Sequence, residues 1–196
     1  MTIQVTTLTI VQNRCANRRK ALKDMVCTRF GEESWQMVQQ QAEIDIETFV
    51  NVESYPDDLT HRLVKAASQV LNLSSSEIMQ AFGEYWVQYT ASEGFAEIID
   101  MCGDNLPEFL ENLDNLHARV GVVFPKLQPP SFECTDVKEE TLNLHYYSHR
   151  QGLTPMVFGL IQGLGKRFNT KVNVTQTKSR EEGNDHDEFS VRYRQN

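Results

Sequence analysis

The sequence predicts an α+β fold: a helical N-terminal part packed on a C-terminal part that holds a four-stranded antiparallel sheet and one further helix. Three observations predict it. Apolar residues recur at helical spacing as far as residue 120. Pro125, Pro129 and Pro130 then interrupt the pattern and mark a subdomain junction. Beyond them the period falls to two, apart from one more helical stretch. Helices first and strands afterwards is the order of an α+β protein.

The elements follow in turn. Residues 20–29 form a helix stopped by Gly31, and 33–42 place Trp35 and Val38 on one side. Residues 60–71 carry Leu63, Val64, Ala67, Val70 and Leu71 at helical spacing. Ser74 precedes Glu77 by three, a capping box. The helix it opens buries Ile78, Phe82, Tyr85 or Trp86, and Tyr89. Residues 93–102 make a short helix closed by Gly103. Asn105 and Pro107 announce the next helix. Its apolar stripe is Leu106, Phe109, Leu110, Leu113, Leu116, His117 and Val120, and Gly121 ends it. Residues 131–136 and 141–148 read as strands. Residues 154–168 form a helix with Met156, Val157, Leu160, Ile161 and Leu164 inward. Residues 171–177 and 188–194 alternate again, joined by a polar hairpin loop, 179–187, around Gly183-Asn184.

The bulk numbers narrow the function. With 196 residues the chain is one domain or two tightly packed subdomains. It is 40 % hydrophobic and 23 % charged, ordinary for a globular protein. A net charge of −8 opposes a nucleic-acid footprint, and Arg14 to Lys20 is an isolated basic cluster. The four cysteines are far apart with no Cys-x-x-Cys pair. No disulfide scaffold and no cysteine zinc site is expected, and a reducing cytoplasm suits the chain. Residues 1–11 make a poor signal peptide. The uncharged stretch 151–165 is too short to span a bilayer, so no membrane partner is expected.

Two features carry chemistry. In the strand 141–148, continued to Arg150, residues two apart share a face, so Tyr146, Ser148 and Arg150 project together behind Leu142 and Leu144. A phenol, a hydroxyl and a guanidinium are all donors. A face that runs from apolar to triply donating suits a flat apolar molecule with a carboxylate edge. An ordinary polar strand end fits the same spacing. His117 sits on an apolar stripe, where a histidine is either a satisfied core residue or a metal ligand at a hydrophobic wall. Taken together, the two suggest an axial ligand and partners for two propionates of a haem.

The chain resembles the haem nitric oxide/oxygen-binding (H-NOX) family, the sensor domain of soluble guanylate cyclase and its bacterial relatives. The stand-alone cyanobacterial members resemble it most. The resemblance runs from about Lys20 to Tyr193. Its specific pieces are Phe82-Gly83-Glu84-Tyr85-Trp86, the run Asn112 to Val120 around His117, Pro129-Pro130-Ser131-Phe132, and Tyr-x-Ser-x-Arg at Tyr146, Ser148 and Arg150.

That resemblance implies a non-covalent haem b in the ferrous state, enclosed between the two parts of the fold. His117 matches the proximal iron ligand, Tyr146, Ser148 and Arg150 the propionate clamp, and Pro130 the proline that presses on the porphyrin. The distal position that carries an oxygen-stabilising Tyr in oxygen-binding members matches Met156, which has no proton to donate. Nitric oxide, and also CO, is therefore the expected ligand, with oxygen excluded and a five-coordinate nitrosyl as the product. Leu160 also matches a distal apolar position. Trp86 matches a distal tryptophan of some members, although its spacing with Phe82 and Tyr89 equally fits plain core.

Residues 20–196 are then one domain, helical to about 75 and haem-enclosing from about 76, with 1–19 an atypical extension. Family members open on a Met-Tyr-Gly run where this chain has Arg14-Cys15-Ala16-Asn17-Arg18-Arg19. A sensor that is not itself an enzyme is expected, signalling in trans to a histidine kinase or a diguanylate cyclase/phosphodiesterase. The alternatives are a haem enzyme of NO and oxygen chemistry, and a haem-free interaction module with His117 as core. Cys134 is expected to be an inert strand residue, and His61, His145, His149 and His186 solvated, with His145 pointing away from the clamp.

Overall fold

The fold is described from a computed structural model, which covers residues 14–44, 57–90, 99–123 and 129–196. Most of the N-terminal extension, Pro125, and most of the expected helix over 93–102 lie outside the described residues.

Four helices come first: α1 (Arg14–Phe30), α2 (Glu32–Gln41), α3 (Asp57–Leu71) and α4 (Ser75–Thr90). Gly31 separates α1 from α2 with a φ of 89°, a backbone shape that glycine adopts without steric cost. Ahead of α4 the capping box closes as expected. The Ser74 amide donates to Glu77 at 2.7 Å, and the Glu77 amide donates to the Ser74 hydroxyl at 3.2 Å. The Ser74 hydroxyl, which also donates to the Glu77 carboxylate at 2.7 Å, and then the Ser74 amide hold that carboxyl below its ordinary range.

Helix α5 (Leu106–Val123) starts on an Asn105 cap, whose side-chain oxygen accepts the Glu108 amide at 3.0 Å. It runs through Gly121 instead of ending there. A glycine ends a helix by taking a left-handed φ, and Gly121 is not among the glycines that do.

The sheet comprises β1 (Ser131–Thr135), β2 (Thr141–Tyr147), β3 (Thr170–Lys178) and β4 (Asp187–Gln195), in the order β1-β2-β4-β3 and antiparallel throughout. Helix α6 (Thr154–Arg167) intervenes between β2 and β3. Strand β2 stops at Tyr147, short of the expected end at residue 148. Its last pairing is Ser131 with Tyr147, and the next residue across is Pro130, which has no amide to donate. The chain turns instead, the Arg150 amide donating to the Ser148 hydroxyl at 3.1 Å.

Buried apolar side chains fall into two clusters. One joins α1 to α4 through Met25, Val26, Trp35, Val38, Leu63 and Ile78. The other lies between the sheet and helices α5 and α6, with Leu142, Leu144, Ile161, Phe189 and Val191 at its centre. Helix α4 serves both, giving Phe82 and Tyr89 to the first and Val87 to the second.

Helices α4 and α6 cross backbone to backbone. A Cβ on Gly83 would lie 2.2 Å from the Met156 carbonyl oxygen, and one on Gly159 would lie 1.9 Å from that of Gln80. Only glycine permits this approach. A bond from Gln80 Nε2 to Gln162 Oε1 at 3.0 Å and an ion pair between Lys166 and Glu84 flank the crossing.

Candidate cofactor site

Helix α5 carries His117 and is stapled to β1 by Asp114. One Asp114 carboxylate oxygen accepts the Ser131 hydroxyl at 2.7 Å and the Phe132 amide at 3.0 Å. The expected stripe is fully buried at Leu106, Phe109 and Leu110 but only half-buried at Leu113, Leu116 and His117. His117, on the stripe by its spacing, is therefore only partly enclosed. Leu113 and Leu116 still pack against the sheet cluster, but only in part, and β1 is the neighbour of this helix.

The imidazole has a fixed form. His117 Nδ1 lies 3.1 Å from the Pro130 carbonyl oxygen. A carbonyl only accepts, so Nδ1 carries a proton, and in the neutral imidazole Nε2 then holds the lone pair. That is the tautomer a metal-ligating histidine uses, with a backbone carbonyl as the outer partner. The fit to an iron porphyrin is good at this end.

A run of rings leads from there to the donor cluster. The His117 and Phe132 centroids are 5.4 Å apart, and those of Phe132 and Tyr146 5.2 Å. Tyr146 is 4 % exposed. Burial pushes its phenol above the ordinary value. A hydrogen bond with the Ser148 side chain and the charges of Arg150 and Arg180 pull the other way, while Asp187 adds to the rise. Ser148 and Arg150 leave the strand, so the turn, not strand alternation, gathers the three donors. Their chemistry suits carboxylates.

Two supports for this cluster escaped the sequence reading. Asp187 pairs with Tyr146 across β2 and β4. Its carboxylate accepts from the Thr154 hydroxyl at 3.1 Å, the Gln176 amide nitrogen at 3.0 Å and the Arg180 backbone amide at 2.9 Å. The Arg180 guanidinium donates to the Ser148 carbonyl. No local pattern signals either residue, because both act through pairings made by the folded sheet. Asp114 was a third omission; lying three residues before His117, it had a helical-spacing signal.

Trp86 and Met156 sit apart from this cluster, half-buried against the helical core. Trp86 stacks on Tyr89 with centroids 5.9 Å apart and tilts against Phe82 at 5.9 Å. Leu160 is half-buried against the sheet core. The Gly83 crossing brings the backbones of Met156 and Leu160 to α4.

The remaining sequence candidates divide. Burial, then Glu111 and Glu133, push the Cys134 thiol up to about 12, so it stays protonated and inert. His61 and His149 are exposed, as expected. His145 and His186 are not: His145 is half-buried and His186 is 7 % exposed. Their rings meet on the outer face of the sheet, His145 Nδ1 lying 2.8 Å from His186 Nε2. The expectation that they are solvated is overturned, because the register brings both under neighbouring side chains. No helix among the described residues is long and apolar enough to cross a membrane.

Comparison with known proteins bears on the family and the fold. The family model described as Haem-NO-binding matches residues 19–176. Soluble guanylate cyclase gcy-35 of Caenorhabditis elegans is 32 % identical over 157 residues, 78 % of this chain and 23 % of that protein. Guanylate cyclase soluble subunit beta-2 of Rattus norvegicus is 36 % identical over 91 residues, 46 % of this chain and 13 % of its own length. The chain thus spans less than a quarter of these curated relatives. An H-NOX protein from S. oneidensis, solved in the Fe(II)NO ligation state, superposes with a TM-score of 0.78 at 20 % identity, covering 91 % of this chain and 98 % of that one. An Fe(II) unliganded H-NOX protein from K. algicida gives 0.74 at 19 %, covering 90 % and 95 %. The shared fold and the family match over most of the sequence make this chain a member of the Haem-NO-binding family.

Proposed function

We propose that the chain senses nitric oxide through a ferrous haem b, bound without covalent attachment. Such a group supplies an iron coordination position for a diatomic gas. His117 holds the iron through Nε2, with its Nδ1 proton on the Pro130 carbonyl. Tyr146, Ser148 and Arg150 take the propionates, and Asp187 and Arg180 brace them from behind. Pro130, whose carbonyl orients His117, would be the residue that bears on the porphyrin.

Met156 and Leu160 line the gas side together with Trp86. Met156 donates no hydrogen bond. A polarised oxygen ligand there forgoes ~1–3 kcal/mol, the worth of a donor to a charged acceptor. Nitric oxide and CO need no such donor, so the chain takes them and excludes oxygen. A change at His117 would be carried by α5, and the Asp114 staple would pass it to β1. A ligand that prefers one of two such arrangements shifts their populations, which is what a switch requires.

On this reading residues 20–196 are a single domain, helical to about 75 and haem-enclosing beyond, with 1–19 as an extension. It performs no catalysis and acts on a separate protein, a histidine kinase or a diguanylate cyclase/phosphodiesterase. Cys27, Cys102 and Cys134 stand outside any disulfide, which suits the cytoplasm.

The single observation that carries this function is the His117–Pro130 bond beside the ring run to Tyr146. The test is His117→Gly, expressed with ample haem precursor. The native ferrous Soret spectrum should disappear and return on adding imidazole. A wild-type protein that purifies colourless refutes the reading.

A further inference from the structure

The outer face of the sheet, away from the cluster at Tyr146, carries a set of side chains that the function above does not use. His145 and Glu188 are directly paired across β2 and β4. His186 precedes β4, its ring stacked on Tyr147 with centroids 4.6 Å apart. One ligand atom from each of His145, His186 and Glu188 lies within 4.8 Å of the others. His145 Nδ1 is 2.8 Å from His186 Nε2 and 3.6 Å from Glu188 Oε2.

We propose that His145, His186 and Glu188 form a second metal site, for a divalent transition cation of the zinc type. Around a tetrahedral zinc, nitrogen and oxygen ligands stand about 3.3 Å from one another. The 3.6 Å pair already has that spacing, and the 2.8 Å pair has to open by about 0.5 Å to reach it. Two imidazoles and one carboxylate leave a fourth position for water, the donor set and open geometry of many protein zinc centres.

The surroundings give the stronger argument. Each ligand has an outer partner of the kind that orients metal ligands. His186 Nδ1 lies 2.6 Å from the Asp185 carboxylate, which keeps the proton on Nδ1 and the lone pair of Nε2 inward. His145 Nε2 lies 2.7 Å from the Thr135 hydroxyl, which accepts the imidazole proton once Nδ1 gives it up. Thr177 donates to Glu188 Oε1 at 2.9 Å, leaving Oε2 toward the histidines. In the cation-free arrangement the His145 Nδ1 proton bridges to His186 Nε2, and the Lys178 ammonium sits 2.6 Å from Glu188 Oε2. The Lys178 side chain is 47 % exposed on a flexible stem, so it can swing into solvent as a metal takes its place on Oε2 and that of the His145 Nδ1 proton. A purely structural pair of histidines has no need of a carboxylate behind one ring and a second carboxylate beside the other.

The test uses the full chain, stripped with a chelator and titrated with zinc chloride against a chromophoric competitor, iron being counted separately. One zinc per chain is expected. Glu188→Gln and His186→Asn should each weaken binding a hundredfold or more, and Asp185→Asn by about ten- to a hundredfold, the usual cost of an outer partner. His117→Gly should leave zinc stoichiometry unchanged, which separates this site from the haem. Cobalt(II) should give the visible bands of a tetrahedral nitrogen–oxygen site in the wild type and lose them in Glu188→Gln. If His186→Asn fails to fold, the Glu188 and Asp185 variants decide. Absence of stoichiometric zinc in the stripped wild type, or binding undiminished in Glu188→Gln, overturns the site.

Discussion

Adding one methyl group at two helical glycines should have opposite effects, and the difference follows from what each new Cβ meets. On Gly159 it would lie 1.9 Å from the Gln80 carbonyl oxygen, 2.8 Å from the carbonyl carbon and 2.9 Å from the Glu84 nitrogen. All three are backbone atoms, so no rotamer change relieves the overlap. The helices have to separate by more than 1 Å to reach an ordinary contact near 3.5 Å. Both cores feel that shift, because α4 packs on each. Overpacking a tight core costs about 1–3 kcal/mol, and here the upper end applies because nothing flexible can yield. The helix-propensity gain of Ala over Gly returns about 1 kcal/mol. A net loss of about 2 kcal/mol or more is expected for Gly159→Ala.

On Gly121 the new Cβ meets, among the described residues, Pro129 ring carbons at 3.8 and 3.9 Å. Gly121→Ala should therefore keep the full propensity gain, about 1 kcal/mol of added stability. Urea denaturation of both variants beside the wild type reads the signs directly. For a chain of this size about 1 kcal/mol moves Tm by roughly 2–4 °C. A Gly159→Ala protein as stable as the wild type refutes the reasoning.

The other predictions are shorter. Asp114→Ala removes both bonds to β1 and leaves the part-buried Phe132 amide without its acceptor, a loss of about 1–3 kcal/mol by denaturation. The same variant should release haem faster than the wild type, measured by transfer to an excess of apomyoglobin. Cys134, pushed up to about 12 by burial, should resist iodoacetamide at pH 8 in the folded protein and react after denaturation, as peptide mass spectrometry will report. Cys27, at about 11 through burial and its hydrogen bond to Glu32, should also react slowly. Glu188 is held below its ordinary value of 4.5, first by the Lys178 hydrogen bond. Its ionised form is thus favoured in the fold. The stability it contributes is present above 4.5 and fades as pH falls through the lower folded value. Glu188→Gln should flatten that part of the stability–pH curve in metal-free protein; an unchanged slope contradicts it.

Elements with a strong local signal were legible in the sequence. The Ser74–Glu77 box, the alternation Leu142-Leu144-Tyr146 and the α6 stripe each depend on residues a few positions apart. His117 and the Tyr-x-Ser-x-Arg run were visible for the same reason. The errors lie where distant pairing decides. Pro130 opposite the end of β2 shortened that strand, and no property of residue 148 announces it. His145 and His186 read as solvated because each stands among polar neighbours, and only the β2–β4 register buries them together. Gly121 reads as a stop by residue type, but a stop needs the left-handed φ, which the chain does not adopt there. Asp187 and Arg180 gain their roles from a sheet partner and a turn.

The opening of β4 places three polar residues in succession, His186, Asp187 and Glu188, all buried. Asp187 looks inward to the donors around Tyr146, while its two neighbours look outward to His145. Any displacement of that short backbone moves both sides of the sheet together. Thermodynamic reciprocity then applies: whatever factor an occupant of one face imposes on the affinity of the other is returned unchanged. If both proposed sites fill, a single peptide segment would make metal supply and gas sensing two inputs to one molecular balance.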